Sequence, residues 1–321
     1  MKTIVGLENI QQPLKNPALT IGNFDGVHLG HQVLYQRVKE WARKLDGESV
    51  VMTFHPHPLR ILVPENDLSF ITSHERKMEL IAACGIDTAI VVPFQRDFAR
   101  ISARDFVAKI LVGRIGVKAI VVGHDYRFGR RREGDIDYLD TLGQEFQFAV
   151  DIVPAIQIDG MLVSSTRIRQ LVKEGQLQEA SKLLGRPYEV TGTVIKGRDR
   201  GGRLLGFPTA NVKVSDKACP KGGVYAVQVL VKGKTYRGAA NLGYNPTFAN
   251  TAFSVEVYIL DFSENIYDER ITVRFVQRLR DEKRFSGVEE LKEQIHRDVH
   301  KAGEILAAWE AQGGGPGACI T

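Results

Sequence analysis

Two histidines three residues apart, His28 and His31, follow a glycine-rich turn that begins at Gly22. The stretch Gly22-Asn-Phe-Asp-Gly-Val-His-Leu-Gly-His31 comes after an apolar pair, Leu19 and Ile21. It precedes Leu34, Val38, Trp41 and Leu45, which are spaced as one face of a helix. The pattern predicts a buried strand, a turn in which Gly22 and Gly26 relieve Cβ crowding, and a helix that opens at the histidines. The unpaired N–H groups and positive dipole end of such a helix favour an anion, and both imidazoles can donate to the same oxygens. Phosphate is the ligand this arrangement suits best. When a phosphate oxygen attacks another phosphorus, the protein need only position the groups and stabilise developing charge. Two other readings use the same residues: a polar helix start, or a metal pair completed by His55 and His57 of Phe54-His-Pro-His-Pro58.

Further groups with chemistry recur along the chain. Gly123-His-Asp-Tyr-Arg-Phe128 offers Tyr126 and Phe128 for stacking and Asp125 for hydrogen bonding, while Arg130, Arg131 and Arg132 read as a solvated face. Ser164, Ser165 and Thr166 start a helix, and Arg169 stands one turn on, which makes a second N-terminal anion site. Residues 197–206 form a basic, glycine-rich loop suited to phosphates, and it leads into Phe207-Pro-Thr-Ala-Asn211. Thr209 and Asn211 flank Ala210, so their oxygens project on one side and could reach Mg²⁺ and ATP. On an alternating run, Ser254, Glu256 and Tyr258 share one face. There Glu256 is either a solvated side chain or a base for a hydroxyl attacking a phosphate.

The elements needed to hold these residues fall into two groups. Up to about residue 184, strand-like runs at 49–54, 88–93, 119–123 and 149–153 alternate with helical patterns at 31–45, 73–84, 102–110 and 136–143. That alternation predicts an α/β domain with a parallel sheet, whose ligands bind beyond the C-terminal strand ends. Afterwards runs at 190–195, 224–231, 236–240, 253–260 and 271–276 follow one another with little helix between them. An antiparallel barrel is expected, then a long helix over residues 288–309. The expected division is 1–185, 186–311 and a disordered tail, 312–321.

The turn with its two histidines is similar to the nucleotidylyltransferase signature, in the form found in bacterial bifunctional riboflavin kinase/FMN adenylyltransferases. Gly123, Asp125 and Phe128, the hydroxyls and arginine of Ser164-Ser-Thr-Arg-Ile-Arg169, Gly206-Phe-Pro-Thr-Ala-Asn211 and Asn241-Leu-Gly-Tyr-Asn-Pro-Thr-Phe248 fit the same family. One departure is Leu162, near a position where the family often has arginine. The resemblance implies a Rossmann-like adenylyltransferase domain followed by a barrel-shaped kinase domain. It implies that Gly22, Phe24, Asp25, His28, His31, Ser164, Ser165, Thr166 and Arg169 hold ATP, with His28 and His31 catalytic. Gly123, Asp125 and Phe128 would lie on the flavin side. In the kinase half it implies that Gly206, Pro208, Thr209 and Asn211 hold ATP and Mg²⁺, that Glu256 is the base, and that Arg280 and Phe285 contact flavin.

Composition is ordinary for a globular protein: 321 residues, 43% hydrophobic and 25% charged, with a formal charge of +5 that suits anionic ligands such as nucleotides. No tract of lysine and arginine interleaved with aromatics argues for nucleic acid. The first residues contain no long apolar run, so no secretion leader is expected, and without an apolar run of roughly 20 residues no membrane span is expected. Cys84, Cys219 and Cys319 share no framework, so reduced thiols in a cytoplasm are expected. The expected partners are ATP, riboflavin and FMN, without nucleic acid or membrane, and transient homo-oligomers stay open. Three alternatives remain: an adenylyl- or cytidylyltransferase for another phosphate, a nucleic-acid binder using residues 198–203 and 130–132, and a metallohydrolase built on the four histidines.

Overall fold

A computed structural model describes residues 1–63, 69–196, 207–214, 218–245, 252–315 and 319. The chain forms two compact units, one of residues 1–68, 73–165 and 318–321, the other of residues 69–72 and 166–317. The phosphate-suited loop 197–206, including Gly206, lies outside the described residues.

The first unit is a six-stranded sheet of β1 (Lys2–Val5), β2 (Ala18–Ile21), β3 (Ser49–His55), β4 (Thr88–Pro93), β5 (Ala119–Gly123) and β6 (Ala149–Val153). Its order is β1-β4-β3-β2-β5-β6 and every pairing is parallel. Strand β2 is buried throughout, as a central parallel strand covered on both faces must be. Its alternate residues feed two cores. Leu19 and Ile21 join Val50, Met52, Ile120 and Phe106 on one side, and Ala18 joins Val51, Val121, Tyr35 and Val38 on the other. Helices α1 (Leu29–Lys44), α2 (Pro58–Leu62), α3 (His74–Ala83), α4 (Ala103–Asp105) and α5 (Ile136–Phe146) connect the strands. α4 continues without a break into a wider helix with i→i+5 bonding, Phe106–Ile115, which stops at Gly116 in a left-handed conformation (φ 76°). A short antiparallel pair, β7 (Gln157–Ile158) and β8 (Met161–Leu162), precedes α6 (Ser165–Glu174) and α7 (Leu177–Leu184).

The second unit contains a closed antiparallel barrel. Its strands are β9 (Tyr188–Ile195), β10 (Thr209–Lys213), β11 (Gly223–Val231), β12 (Lys234–Asn245), β13 (Ala252–Ile259) and β14 (Arg270–Arg280), in the order β10-β13-β12-β11-β14-β9. Helix α8 (Val288–Ala311) lays Ala302 and Leu306 against Ala226, Ala239 and Val276 of the barrel wall. Closure leaves the barrel without an exposed sheet edge.

Two strands of the main sheet and the barrel differ from expectation. β1 was not anticipated, because four residues with one buried position give too short a pattern. Thr209–Lys213, not among the expected strand runs, is a barrel strand, in which Thr209 and Asn211 keep the expected alternation about Ala210. The cysteines need a correction as well: Cys84, at the C-terminal cap of α3, is joined to Cys319 by a disulfide. Their positions are 235 residues apart, a separation that carries no spacing signal until the fold brings their Cα atoms to 5.2 Å. Among the described residues no helix is long and apolar enough to cross a membrane.

Candidate active sites

In the first unit the strand order reverses beside β2. The sheet passes through β3 to one side and β5 to the other, which opens a crevice at the C-terminal strand ends. The turn after β2 occupies that place. Its backbone is left-handed at Phe24 (φ 51°), Gly26 (φ 88°) and Val27 (φ 40°). Such a conformation at a β-branched valine costs on the order of 1–3 kcal/mol and persists only where surrounding contacts impose it. Several do so. The N–H of Gly22 donates to the Met52 carbonyl (3.1 Å). The Thr53 hydroxyl donates to the Asn23 carbonyl (3.3 Å), and Ser165 Oγ donates to the Asp25 carbonyl (2.9 Å). The Phe24 ring is buried, edge-on to His31 and against Tyr35, both at 5.2 Å between centroids. A Cβ on Gly22 would stand 3.0 Å from that ring.

His28 caps α1. Its Nδ1 accepts from the His31 backbone N–H at 3.3 Å. With Nδ1 accepting, a neutral ring carries its proton on Nε2. The His31 ring stacks on His28 at 3.5 Å between centroids. Gly30 keeps the pair together, since a Cβ there would press within 3.2 Å of His28 Nδ1. The same virtual Cβ lies 3.8 Å from Val163, the residue before Ser164. Ser164 and Ser165 therefore adjoin the histidine turn within one unit. Thr166 is exposed and Arg169 half-buried, both within the first five residues of α6. Leu162 is exposed at the end of β8.

On the other side of the crevice, Gly123 ends β5 and Asp125 is exposed. Phe128 is a core residue, stacked on Tyr126 (5.6 Å) and tilted against Phe106 (6.2 Å). Its ring thus supports the loop from beneath. Arg130, Arg131 and Arg132 are exposed. His57 caps α2, accepting from the Leu59 N–H, whereas His55 stacks on His74 at 4.1 Å. The four histidines are therefore divided between two places, and no group of three metal-ligating residues occurs among the described residues.

In the barrel, register does what sequence spacing could not show. Glu256 on β13 pairs directly with Asn211 on β10 and with Asn241 on β12. Directly opposed residues share a face, so a carboxylate lies between two carboxamides. Burial raises the Glu256 pKa above its ordinary value. Thr209, opposite Tyr258, and Pro208 line a cavity of about 240 Å³ that also takes in Val257, Ile259, Glu264 and Tyr267. The Phe207 ring packs edge-on against Tyr258 (5.1 Å) and His296 of α8 (4.7 Å). Arg280 Nε and Nη2 grip the carboxylate of Asp298 on α8 at 2.7–3.0 Å, and its guanidinium lies 5.8 Å from the half-buried Phe285 ring. Sequence reasoning missed Asn241 as a partner of Glu256 and Asp298 as the anchor of Arg280, since both are cross-element contacts.

Comparison with known proteins divides the chain in the same order. The FAD synthetase family model matches residues 10–167, and the riboflavin kinase model matches residues 184–306. The bifunctional riboflavin kinase/FMN adenylyltransferase of Escherichia coli K12 is 40% identical over 95% of this chain and 98% of its own. The protein of the same name from Listeria monocytogenes is 42% identical over 92% and 94%. A Streptococcus pneumoniae crystal structure called a macrolide-efflux protein superposes with a TM-score of 0.85 at 34% identity, covering 93% of this chain and 97% of that one; it bears here on the fold. With both catalytic units matched over nearly their whole length, the chain belongs to the bifunctional riboflavin kinase/FMN adenylyltransferase family.

Proposed function

We propose how the two activities of this family, riboflavin phosphorylation and FMN adenylylation, divide among the residues of this chain. The kinase reading rests on one observation, the placement of Glu256 between Asn211 and Asn241. In that reading Glu256 accepts the proton of the riboflavin 5′-hydroxyl as its oxygen attacks the γ-phosphorus of ATP, and ADP leaves with the bridging oxygen. Burial that raises its pKa makes the carboxylate a stronger base than an exposed one. Thr209 and Asn211 offer oxygen donors only, the set that suits Mg²⁺, and the cavity beside Thr209 would take the nucleoside. Mg²⁺ held there would neutralise phosphate charge. Pro208 shapes the same wall, and Arg280 with Phe285 would border the flavin.

In the first unit the histidine turn would hold the triphosphate of a second ATP. An oxygen of the FMN phosphate attacks the α-phosphorus, and pyrophosphate leaves. His28 Nε2–H and His31 would donate to the charged oxygens, with Gly22, Phe24 and Asp25 fixing the turn and Ser164, Ser165, Thr166 and Arg169 completing the phosphate site. Gly123 and Asp125 would meet the flavin nucleotide, with Phe128 packed behind them. The reading takes residues 1–185 as the adenylyltransferase and 186–311 as the kinase, acting on small molecules in a cytoplasm.

The test separates the halves by product chromatography after incubation with riboflavin, ATP and Mg²⁺. Glu256→Gln should form no FMN from riboflavin yet convert supplied FMN to FAD. His28→Ala should accumulate FMN. Full FMN synthesis by the first variant, or full FAD synthesis by the second, would overturn the corresponding assignment.

A further inference from the structure

Helix α3 contains a lysine that does not behave as a surface residue. Glu75 and Glu79 on the same helix are exposed, but Lys77 is only 8% exposed. Its ammonium donates to Thr53 Oγ1 (2.9 Å), to the Asn23 carbonyl (3.1 Å) and to the Phe54 carbonyl (3.4 Å). The three bonds use the full donor capacity of an ammonium, and all three acceptors are neutral. Two acceptors, Thr53 and Phe54, lie near the end of β3, and the third is in the turn after β2. The lysine thus ties two neighbouring strand ends beneath the left-handed turn. Ser165 holds the Asp25 carbonyl of that turn, so alternate carbonyls are gripped by two different elements.

We propose that Lys77 is a positioning residue of the adenylyl-transfer site, holding the turn in its phosphate-binding conformation while keeping a buried positive charge beneath it. The proposal rests on the reading of the histidine turn as the triphosphate site. A buried ammonium with neutral partners is a poor choice for packing alone, because its desolvation is recovered only in part by hydrogen bonds. Beneath a site where negative charge accumulates on phosphate oxygens, the same ammonium is favourable, and more so as the charge develops. The charged and titratable groups around it are Asp25 in the turn, His55 at the end of β3, and His74 and Glu75 on its own helix. Burial lowers the Lys77 pKa to about 8, with Asp25 opposing the shift. Burial also lowers the pKa of His55 and of His74, placing their titrations below that of Lys77.

The test uses the full chain and measures both activities in each preparation. Lys77→Met should lower kcat/KM for FMN adenylylation at least tenfold, mainly through kcat, while riboflavin phosphorylation stays within twofold. Wild-type adenylylation should show a basic limb near pH 8, which Lys77→Arg should remove because a guanidinium does not titrate there. An unchanged adenylylation rate in Lys77→Met, or a basic limb that persists in Lys77→Arg, overturns the proposal. If Lys77→Met does not fold, the Lys77→Arg pH profile decides alone. His28→Ala serves as the control. Loss of adenylylation in His28→Ala with retention in Lys77→Met rejects only the lysine, whereas retention in His28→Ala rejects the phosphate-site reading itself.

Discussion

Glu256 places a single carboxyl where its fold and its chemistry make opposite demands. Burial penalises the charged form, so the folded protein binds this proton more tightly than the unfolded chain does. The contribution to stability is therefore most favourable at low pH. It falls as pH rises through the interval between the ordinary glutamate value and the raised folded value, and stays diminished above it. Catalysis has the reverse dependence, since only the carboxylate can accept the hydroxyl proton. Glu256→Gln should then unfold at a higher temperature than wild type at pH 8, yet form no FMN. The acid limb of the wild-type kinase profile should lie above the ordinary glutamate value. A variant less stable than wild type at pH 8 would show that the carboxylate is better satisfied than its burial implies. How far such residues can be read from sequence depends on whether their partners are local. His28 and Gly30 could be, because the cap and the glycine act within one helical turn. Lys77 could not. A lysine in a helix with alternating charge reads as solvated until the fold closes β2 and β3 over it.

At the level of elements, the barrel depends on its closure between β9 and β14. There Glu189 and Arg274 stand opposite each other in register and form an ion pair, Nε to Oε2 at 3.1 Å, with side chains only 4% and 10% exposed. Removing one partner of so buried a pair leaves an uncompensated charge, at a cost of about 3–5 kcal/mol. Replacing both by apolar residues of similar volume is often neutral or better. Glu189→Leu should accordingly lower the denaturant midpoint of the barrel and the temperature at which FMN formation fails. Glu189→Leu combined with Arg274→Leu should recover most of the loss. A double variant as unstable as the single one would assign the effect to something other than the stranded charge. The same seam shows why element type was legible and element detail was not. The helix–strand alternation and the apolar, valine-rich run of residues 224–231 are strong signals, and they mark the parallel sheet and the barrel. Thr209–Lys213 carries too few apolar residues to read as a strand, and becomes one by pairing with β9 and β13. The Asn211–Glu256–Asn241 row exists only once that register is set.

For the whole molecule, the product of one unit is the substrate of the other, FMN made at the barrel being adenylylated at the sheet. The Cys84–Cys319 disulfide joins the end of α3 to residues at the far end of the sequence that are counted with the first unit. Cys319 also packs against the core cluster that holds Tyr35, Val38 and Ile81. A bridge across 235 residues removes much chain entropy from the unfolded state, about 5 kcal/mol on the loop-closure model. That contribution exists only under oxidising conditions, since a cytoplasmic thiol pool keeps such pairs reduced. Purified without reductant, the chain should leave Cys219 as its one alkylatable thiol. Reduction should add the mass of two hydrogens and expose Cys84 and Cys319 to alkylation. Cys319→Ser should lower the thermal stability of the first unit in oxidised preparations and match the wild type once both are reduced. Alkylation of all three cysteines without reductant would remove the bridge from the account. Because α3 carries both Cys84 at its end and Lys77 beneath the histidine turn, the two redox states also separate stability from chemistry. If the bridge serves stability alone, FMN adenylylation measured well below the melting temperature should be equal in both, and a difference would connect the bridge through α3 to the turn.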